Sequence, residues 1–355
     1  VLDGAIVWLK EGTHAGPKHG YYDMKRWVTI SGAPGTDPNK VVIDSGGRPN
    51  IQLLRFTKLT WQPPTPRHLV HPNQKGRVVW FDQMAAVGGD RKTFGTPMTN
   101  QAETWFTNCT IDNFTEGVEG WGGPVWLARH VKVTRIAEDS FRVNTMIVNC
   151  TTHDVNKEGS NAHPDVVQTS AGEKKNVIIF GLVATDVRSQ GIYIRGVDWA
   201  IVNVFIEQTP EWKFLWQVDK IERVQHCLIW HVGTVNQDLA WRTGDGTRNC
   251  RDVSIRNSFL TNMWAGRSSE GQDTDSAFLA DNAITVDNSH FIKGSFVKDA
   301  KSTTGELPFV DSKARDFRPA PGSPLLGRVT ELLVPCDATN RPRTAPSAIG
   351  PFESP

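Results

Sequence analysis

The chain has 355 residues, 38% of them hydrophobic, and 39 Lys plus Arg against 38 Asp plus Glu give a formal charge of +1. That balance carries no electrostatic footprint for nucleic acid, and no stretch approaches the apolar length of a membrane span. A P-loop, a dinucleotide fingerprint, a nucleophile elbow and an HExxH zinc motif are all absent from the sequence, which sets those enzyme classes aside.

Residues 1–60 hold the short apolar runs AIVWL, WVTISG, VVIDS and IQLLRF, each bounded by Gly- and Pro-rich turn signals. They predict N-terminal strands without a sustained helical period. The chain opens inside a strand pattern with neither Met nor a signal-like apolar stretch, so the expectation is a longer, exported precursor. Localisation is then expected to be secreted, cell-surface or periplasmic. Residues 61–103 read as irregular loops and strands, with a Pro-rich basic stretch at 62–76. Loops of that length in a compact fold are usually functional or disordered.

From 104 to 300 a strand-like phrase recurs: WFTNCTIDN at Asn108, MIVNCTTHD at Asn149, VIIFGLVATD at Phe180 and AIVNVFIEQT at Asn203. It returns as VQHCLIWHVG at His226, DVSIRNSFLTN at Asn257 and ITVDNSHFIKG at Asn288. The steps are 41, 31, 23, 23, 31 and 31 residues, the signature of a solenoid. The anchoring Asn residues suit turns between strands. Cys109, Cys150 and Cys227 each follow an anchor by one place and read as stacked buried thiols; no CxxC or Cys/His spacing for zinc occurs. After 300 the repeat fades into a Pro- and Gly-rich stretch, 301–355, expected to cover the last coil, because an open stack end invites aggregation.

A second strand series runs in step with the anchors: SFRVN (140–144), DVVQT (165–169), GIYIRG (191–196), FLWQV (214–218) and LAWRT (239–243). Neighbouring coils stack about 4.8 Å apart and alternate residues face outward. With Phe141, Ile192 and Ile194 inward, Arg142, Asn144, Tyr193 and Arg195 point out, and Gln168 and Arg242 join their row. Glu138, Asp139, His163, Asp165 and Gln190 enter beside it. His163, Tyr193, Arg195, Asp165 and Asp139 are the candidate catalytic groups. Glu138, Arg142, Asn144, Gln168, Gln190, Trp216 and Arg242 are the candidate substrate contacts.

The opening DGAIVWLKEGTHAG with WVTISGAPG resembles the first coils of right-handed parallel β-helix proteins of the pectate-lyase-like superfamily. The ending DFRPAPGSPLLG with CDATNRPRTAPSAIGPFE is similar to the closing stretch of many secreted bacterial β-helix proteins. The resemblance implies one all-β, right-handed parallel β-helix over 1–355, with long loops walling one sheet face, and a polysaccharide lying across that face. It does not choose the activity.

Three readings stay open. A polysaccharide lyase needs a group that neutralises a uronate carboxylate and a base for the α proton, and the basic row favours this one. A glycoside hydrolase needs two carboxylates, about 5–5.5 Å or 6.5–9.5 Å apart, for which Asp139 and Asp165 are the candidate pair. The NTD, DD and GHG landmarks of polygalacturonase-type hydrolases are absent. A non-catalytic glycan-binding or tailspike-like module could use Trp199, Trp212, Trp216, Trp230 and Trp241; the oligomeric state, including a tailspike-like trimer, stays open. No clustered Asp set like the calcium sites of pectate lyases occurs, so a Ca2+-dependent mechanism stays open but unsupported, and no cofactor or metal is expected.

Overall fold

The computed structural model describes residues 3–17, 20–46, 49–64, 77–89, 103–119, 125–143, 145–156, 164–168, 174–193, 196–209, 215–216, 224–236, 238–242, 250–266, 279–280, 283–293 and 301–355. The chain is all-β and forms a parallel β-helix, as the repeat predicts. Among the described residues one antiparallel strand pair occurs, Phe309–Asp311 with Asp316–Pro319. The chain divides into two compact units, residues 1–146 with 150–170, and 147–149 with 171–355.

In the first unit one strand row stacks Ile6–Leu9, Val28–Gly32, the first halves of Leu53–Trp61 and Val78–Val87, then Glu103–Thr107 and Val125–Arg129. A second row stacks Gly12–Ala15, Val41–Ser45, the second halves of the two long strands, Thr110–Asp112, Lys132–Ile136 and Thr151–Val155. Every other side chain turns inward, so Leu54, Phe56, Val79, Phe81, Phe106 and Ala128 form a continuous buried column. Phe56, Phe81 and Phe106 stack ring on ring at 5.6 and 5.0 Å.

The corner between the two rows is one residue in the left-handed conformation: Lys58, Gln83, Asn108 and His130, with φ between 50° and 54°. A single αL residue redirects the chain without breaking the ladder, and Asn tolerates that region best among residues with a Cβ.

In the second unit the first row is Lys174–Phe180, Gly196–Val202, Val224–Trp230, Cys250–Arg256 and Ile284–Asp287. The second runs from Val183–Val187 through Phe205–Gln208, Gly233–Val235, Phe259–Leu260 and His290–Phe291 to Thr303–Thr304. Asp238–Arg242 lies between Leu215–Trp216 and Asn262–Gly266 in a third. Its corners are Asn149, Gly181, Asn203, His231, Asn257 and Asn288, all with positive φ.

Two sequence anchors therefore move. Gly181, not Phe180, and His231, not His226, hold the corners, and His130 marks a coil between Asn108 and Asn149. His226 also has positive φ, but it sits inside a strand between Asp198 and Asp252, at 3.0 and 3.8 Å. Similar local sequence at two αL positions explains the slip. Cys109, Cys150 and Cys227 are buried free thiols, as expected.

Beyond Thr303–Thr304 the C-terminal segment does more than close the last coil. It runs back along the corner row. Asn203 Nδ2 donates to the Cys336 carbonyl (2.7 Å), Gly350 N–H to Asn257 O (2.7 Å), and Asn288 Nδ2 to Arg328 O (3.1 Å). Phe317, Leu325, Val329, Ala338, Ile349 and Phe352 pack there on Phe205 and Phe259. Corner side chains cannot reach the interior, so their amides are left to fasten an overlying chain.

Candidate functional site

The third strand row of the first unit carries the site. Bridges join Val118 to Phe141 and Phe141 to Val167, setting residues 116–119, 139–143 and 165–168 on adjacent rungs. Backbone bonds fix the register: Arg142 N–H to Val118 O at 2.8 Å, and Gln168 N–H to Phe141 O at 2.9 Å. Val118, Phe141 and Val167 are fully buried, which turns their polar neighbours to the other face.

Arg142 is the centre of that face. Its Nε donates to Asp139 Oδ2 at 2.5 Å and its Nη1 to Glu119 Oε1 at 2.8 Å, while Nη2 lies 3.4 Å from Glu116 Oε1. The three carboxylates are almost wholly buried, whereas 28% of the Arg142 side chain is exposed. Asp139 Oδ1 also accepts the Asp165 N–H (2.7 Å), and Asp165 Oδ2 accepts from Gln168 Nε2 (2.9 Å).

Three buried carboxyls around one guanidinium cannot all ionise cheaply. Burial, then repulsion from Asp139 and Glu119, pushes the Glu116 carboxyl up to about 10 despite Arg142, and Glu138 hydrogen-bonds to it. Burial likewise raises Glu119 and Asp139 against the pull of Arg142. Burial works against the charge of Arg142 too, but Asp139, Glu116 and Glu119 outweigh it and raise its pKa. The group titrates as one unit. At neutral pH it is a permanent cation beside a Glu116 carboxyl that retains its proton.

The structure thus brings together five of the sequence candidates: Glu138, Asp139, Arg142, Asp165 and Gln168. Asp139 and Asp165, expected as a carboxylate pair open to substrate, are 2% and 0% exposed and brace the neighbouring coil instead. Gln190 and Tyr193, in the second unit, are buried as well. All four residues of Gln190–Tyr193 are covered, so alternation does not expose Tyr193 as expected; a strand buried on both sides loses its in–out pattern. His163, Asn144 and Arg195 lie outside the described residues, as do the side chains of Trp216 and Arg242, whose backbones occupy Leu215–Trp216 and Asp238–Arg242.

Of the Trp series, Trp199 is a core residue and Trp230 donates to Ser254 Oγ at 3.2 Å. Trp212 and the Trp241 side chain lie outside the described residues. Sequence reasoning missed Glu116 and Glu119. TEGVEG at 115–120 shows them, had the row been extended one rung upstream of Ser140.

Among the described residues no group of three or more His, Cys, Asp or Glu is arranged to hold a metal ion. The guanidinium of Arg142 fills the centre of the carboxylate group formed by Glu116, Glu119 and Asp139. No helix among them is long and apolar enough to cross a membrane.

No protein-family profile matches the chain, and no curated protein does. Among solved structures it is similar to the alginate lyase AlyGC of polysaccharide lyase family 6, with a TM-score of 0.48, 11% identity, and coverage of 87% of this chain and 51% of that one. A substituted form of the same lyase gives 0.46 at the same identity and coverage. A mannuronic acid-specific family 6 lyase from human gut microbiota gives 0.32, with 11% identity and 86% of each chain covered. The chain spans about half the length of the first two.

Proposed function

We propose that this protein is a carbohydrate-active enzyme that binds an acidic, uronate-containing polysaccharide on the third strand row and cleaves it by β-elimination. The observation that carries the reading is Arg142, held on all three of its nitrogens by carboxyl groups and still 28% exposed. Perturbed ionisable groups cluster at working sites, and here they surround a cation that reaches solvent.

Elimination requires three things: neutralisation of the uronate carboxylate, a base for the α proton, and a proton for the leaving oxygen. In this reading Arg142 pairs with the carboxylate. Its fixed orientation removes the cost of ordering a long side chain at the moment of binding. The proton retained on Glu116, with the raised Glu119 and Asp139 carboxyls, lowers the negative charge that would otherwise repel an acidic glycan. His163 takes the α proton as the C–O bond breaks and returns it to the leaving oxygen, and Gln168 offers an amide for a sugar hydroxyl. Tyr193 and Arg195 enter as positions to test by substitution.

Incubation with alginate, pectin and glycosaminoglycans should produce unsaturated ends that absorb in the ultraviolet, and Arg142→Gln should reduce the rate by about 100-fold or more. Reducing ends without unsaturation would make the protein a hydrolase and overturn the elimination chemistry. Tight glycan retention with neither signal would make it a binding module. That third reading has one observation in its favour: Trp27, Trp80 and Trp105 cluster at 5.7–6.2 Å between centroids, with Arg55 4.1 Å over Trp80. Aromatic surfaces with a cation are common sugar platforms. Half-buried and packed edge against face, these rings offer less open surface than a stacking site requires.

A further inference from the structure

The corner row of the second unit and the C-terminal segment flank a half-open cavity of about 480 Å3. This is inside the usual range of small-molecule sites, about 300–1,000 Å3. Its lining carries the charged groups Arg256, Asp287, Lys301, Arg328 and Glu331, with Thr330 and the corner amides of Asn257 and Asn288 among them. The cations outnumber the carboxylates, and their pairing is uneven. Asp287 is shared, with Arg256 Nε at 3.1 Å and Lys301 Nζ at 3.9 Å. Arg328 makes no ion pair among the described residues. Its guanidinium is held by Asn288 Oδ1 at 3.4 Å and by the Lys301 carbonyl.

A guanidinium tethered only by neutral oxygens keeps its full charge for a ligand, and its planar fork suits a carboxylate. The frame around it is rigid. Asn288 bonds to Asn257 (2.8 Å) and to the Arg328 carbonyl, and Val329 belongs to the buried C-terminal core. The field of these cations reaches behind the wall: after burial, Arg328 contributes to lowering His290 and Arg256 to lowering His231.

We propose that this cavity is a second glycan subsite, one that takes a carboxylated mono- or disaccharide. Arg328 grips the carboxylate, with Lys301 and Arg256 beside it. Asp287 and Glu331 accept from sugar hydroxyls, and the Thr330 hydroxyl accepts from or donates to them. The two carboxylates select the ligand class: they would repel a compact inorganic dianion such as phosphate but are good acceptors for hydroxyl groups. The ligand class rests on the acidic-glycan reading above. The site and its residues do not, because none of them belongs to the Arg142 group.

Calorimetric titration of the full chain tests this, with saturated uronate disaccharides, a neutral disaccharide and inorganic phosphate as probes. Titrating Arg142→Gln as well removes binding at the other site. The uronate disaccharide should bind with a Kd on the order of 1 mM, and Arg328→Gln and Lys301→Gln should each weaken it about tenfold. The neutral sugar should give no heat. Lys301 is 69% exposed and can be changed without disturbing the fold, which guards against misreading a misfolded Arg328 variant. Phosphate binding as tightly as the uronate would overturn the sugar assignment. Uronate affinity unchanged in both variants, or no uronate binding at all, would remove the site. Such a failure leaves lyase activity intact, whereas failure of the elimination reading leaves this binding intact, so the two are distinguishable.

Discussion

Two arginines, Arg142 in the first unit and Arg343 in the second, show what surroundings do to the same group. Arg343 is fully buried and fastened by neutral acceptors: the carbonyls of Cys336 (3.1 Å), Ala348 (3.3 Å) and Gly350 (2.8 Å), and Asn203 Oδ1 (3.2 Å). One carboxylate, Glu353, balances its charge. Burial dominates there, lowering Arg343 and raising Glu353 in spite of their pairing. Arg142 meets three carboxyls at an open edge, and its own pKa rises instead. The first arrangement satisfies every donor and locks a chain segment onto the corner row. The second carries more acid than its cation can balance, so it stores protons. A fastener needs only the first.

The largest effect tests the fastener. Arg343→Met should destabilise the protein by about 3–5 kcal/mol, since it leaves the half-buried Glu353 without its counter-charge and the buried acceptors around Arg343 without their donor. Chemical denaturation measures this, and a loss below about 1 kcal/mol would break the comparison. Gly350→Ala follows at about 1–3 kcal/mol. Gly350 has φ +94°, and an added Cβ would sit 2.4 Å from Phe259 Cδ1. Thermal unfolding should show the drop.

The next effects are pH-dependent and have opposite signs in the two units. Glu116 has a folded pKa raised to about 10, so its contribution is fully present below the unfolded value near 4.5 and is lost as pH rises through about 10. Glu116→Gln should therefore flatten the alkaline fall in melting temperature. His231 is the reverse. Burial first, with Arg343 next, lowers it to about 3, so its contribution is present above about 6.5 and lost as pH falls toward 3. His231→Asn, which keeps a residue suited to αL, should flatten the acid limb only. If either substitution flattens the other limb, the assignments are wrong.

The smallest effect concerns Cys109. Burial pushes its thiol up to about 12, so a thiol reagent should leave it unmodified until the protein unfolds.

How far the sequence could be read follows from range of interaction. Alternation and turn chemistry are local, so the coils were legible, and so was the row holding Asp139, Arg142, Asp165 and Gln168. What a coil contributes from the previous rung is not local. Glu116 and Glu119 become neighbours of Arg142 only through the pairing of Val118 with Phe141. The same limit misplaced Tyr193, because nothing in GIYIRG reveals what covers a strand. It also hid the course of the C-terminal segment, which is decided by corner amides and buried aromatics more than 100 residues away in sequence.

The central claim is that the Arg142 group is a working site and the Arg343 group is not. Its most direct test is the initial rate of unsaturated-end formation from a uronate polymer, with melting temperature recorded on the same samples. The account predicts product from the native protein and near-complete loss in an Arg142→Gln variant that still melts cooperatively. An unchanged rate in that folded variant would contradict it, as would the absence of unsaturated product from the native protein on every uronate polymer.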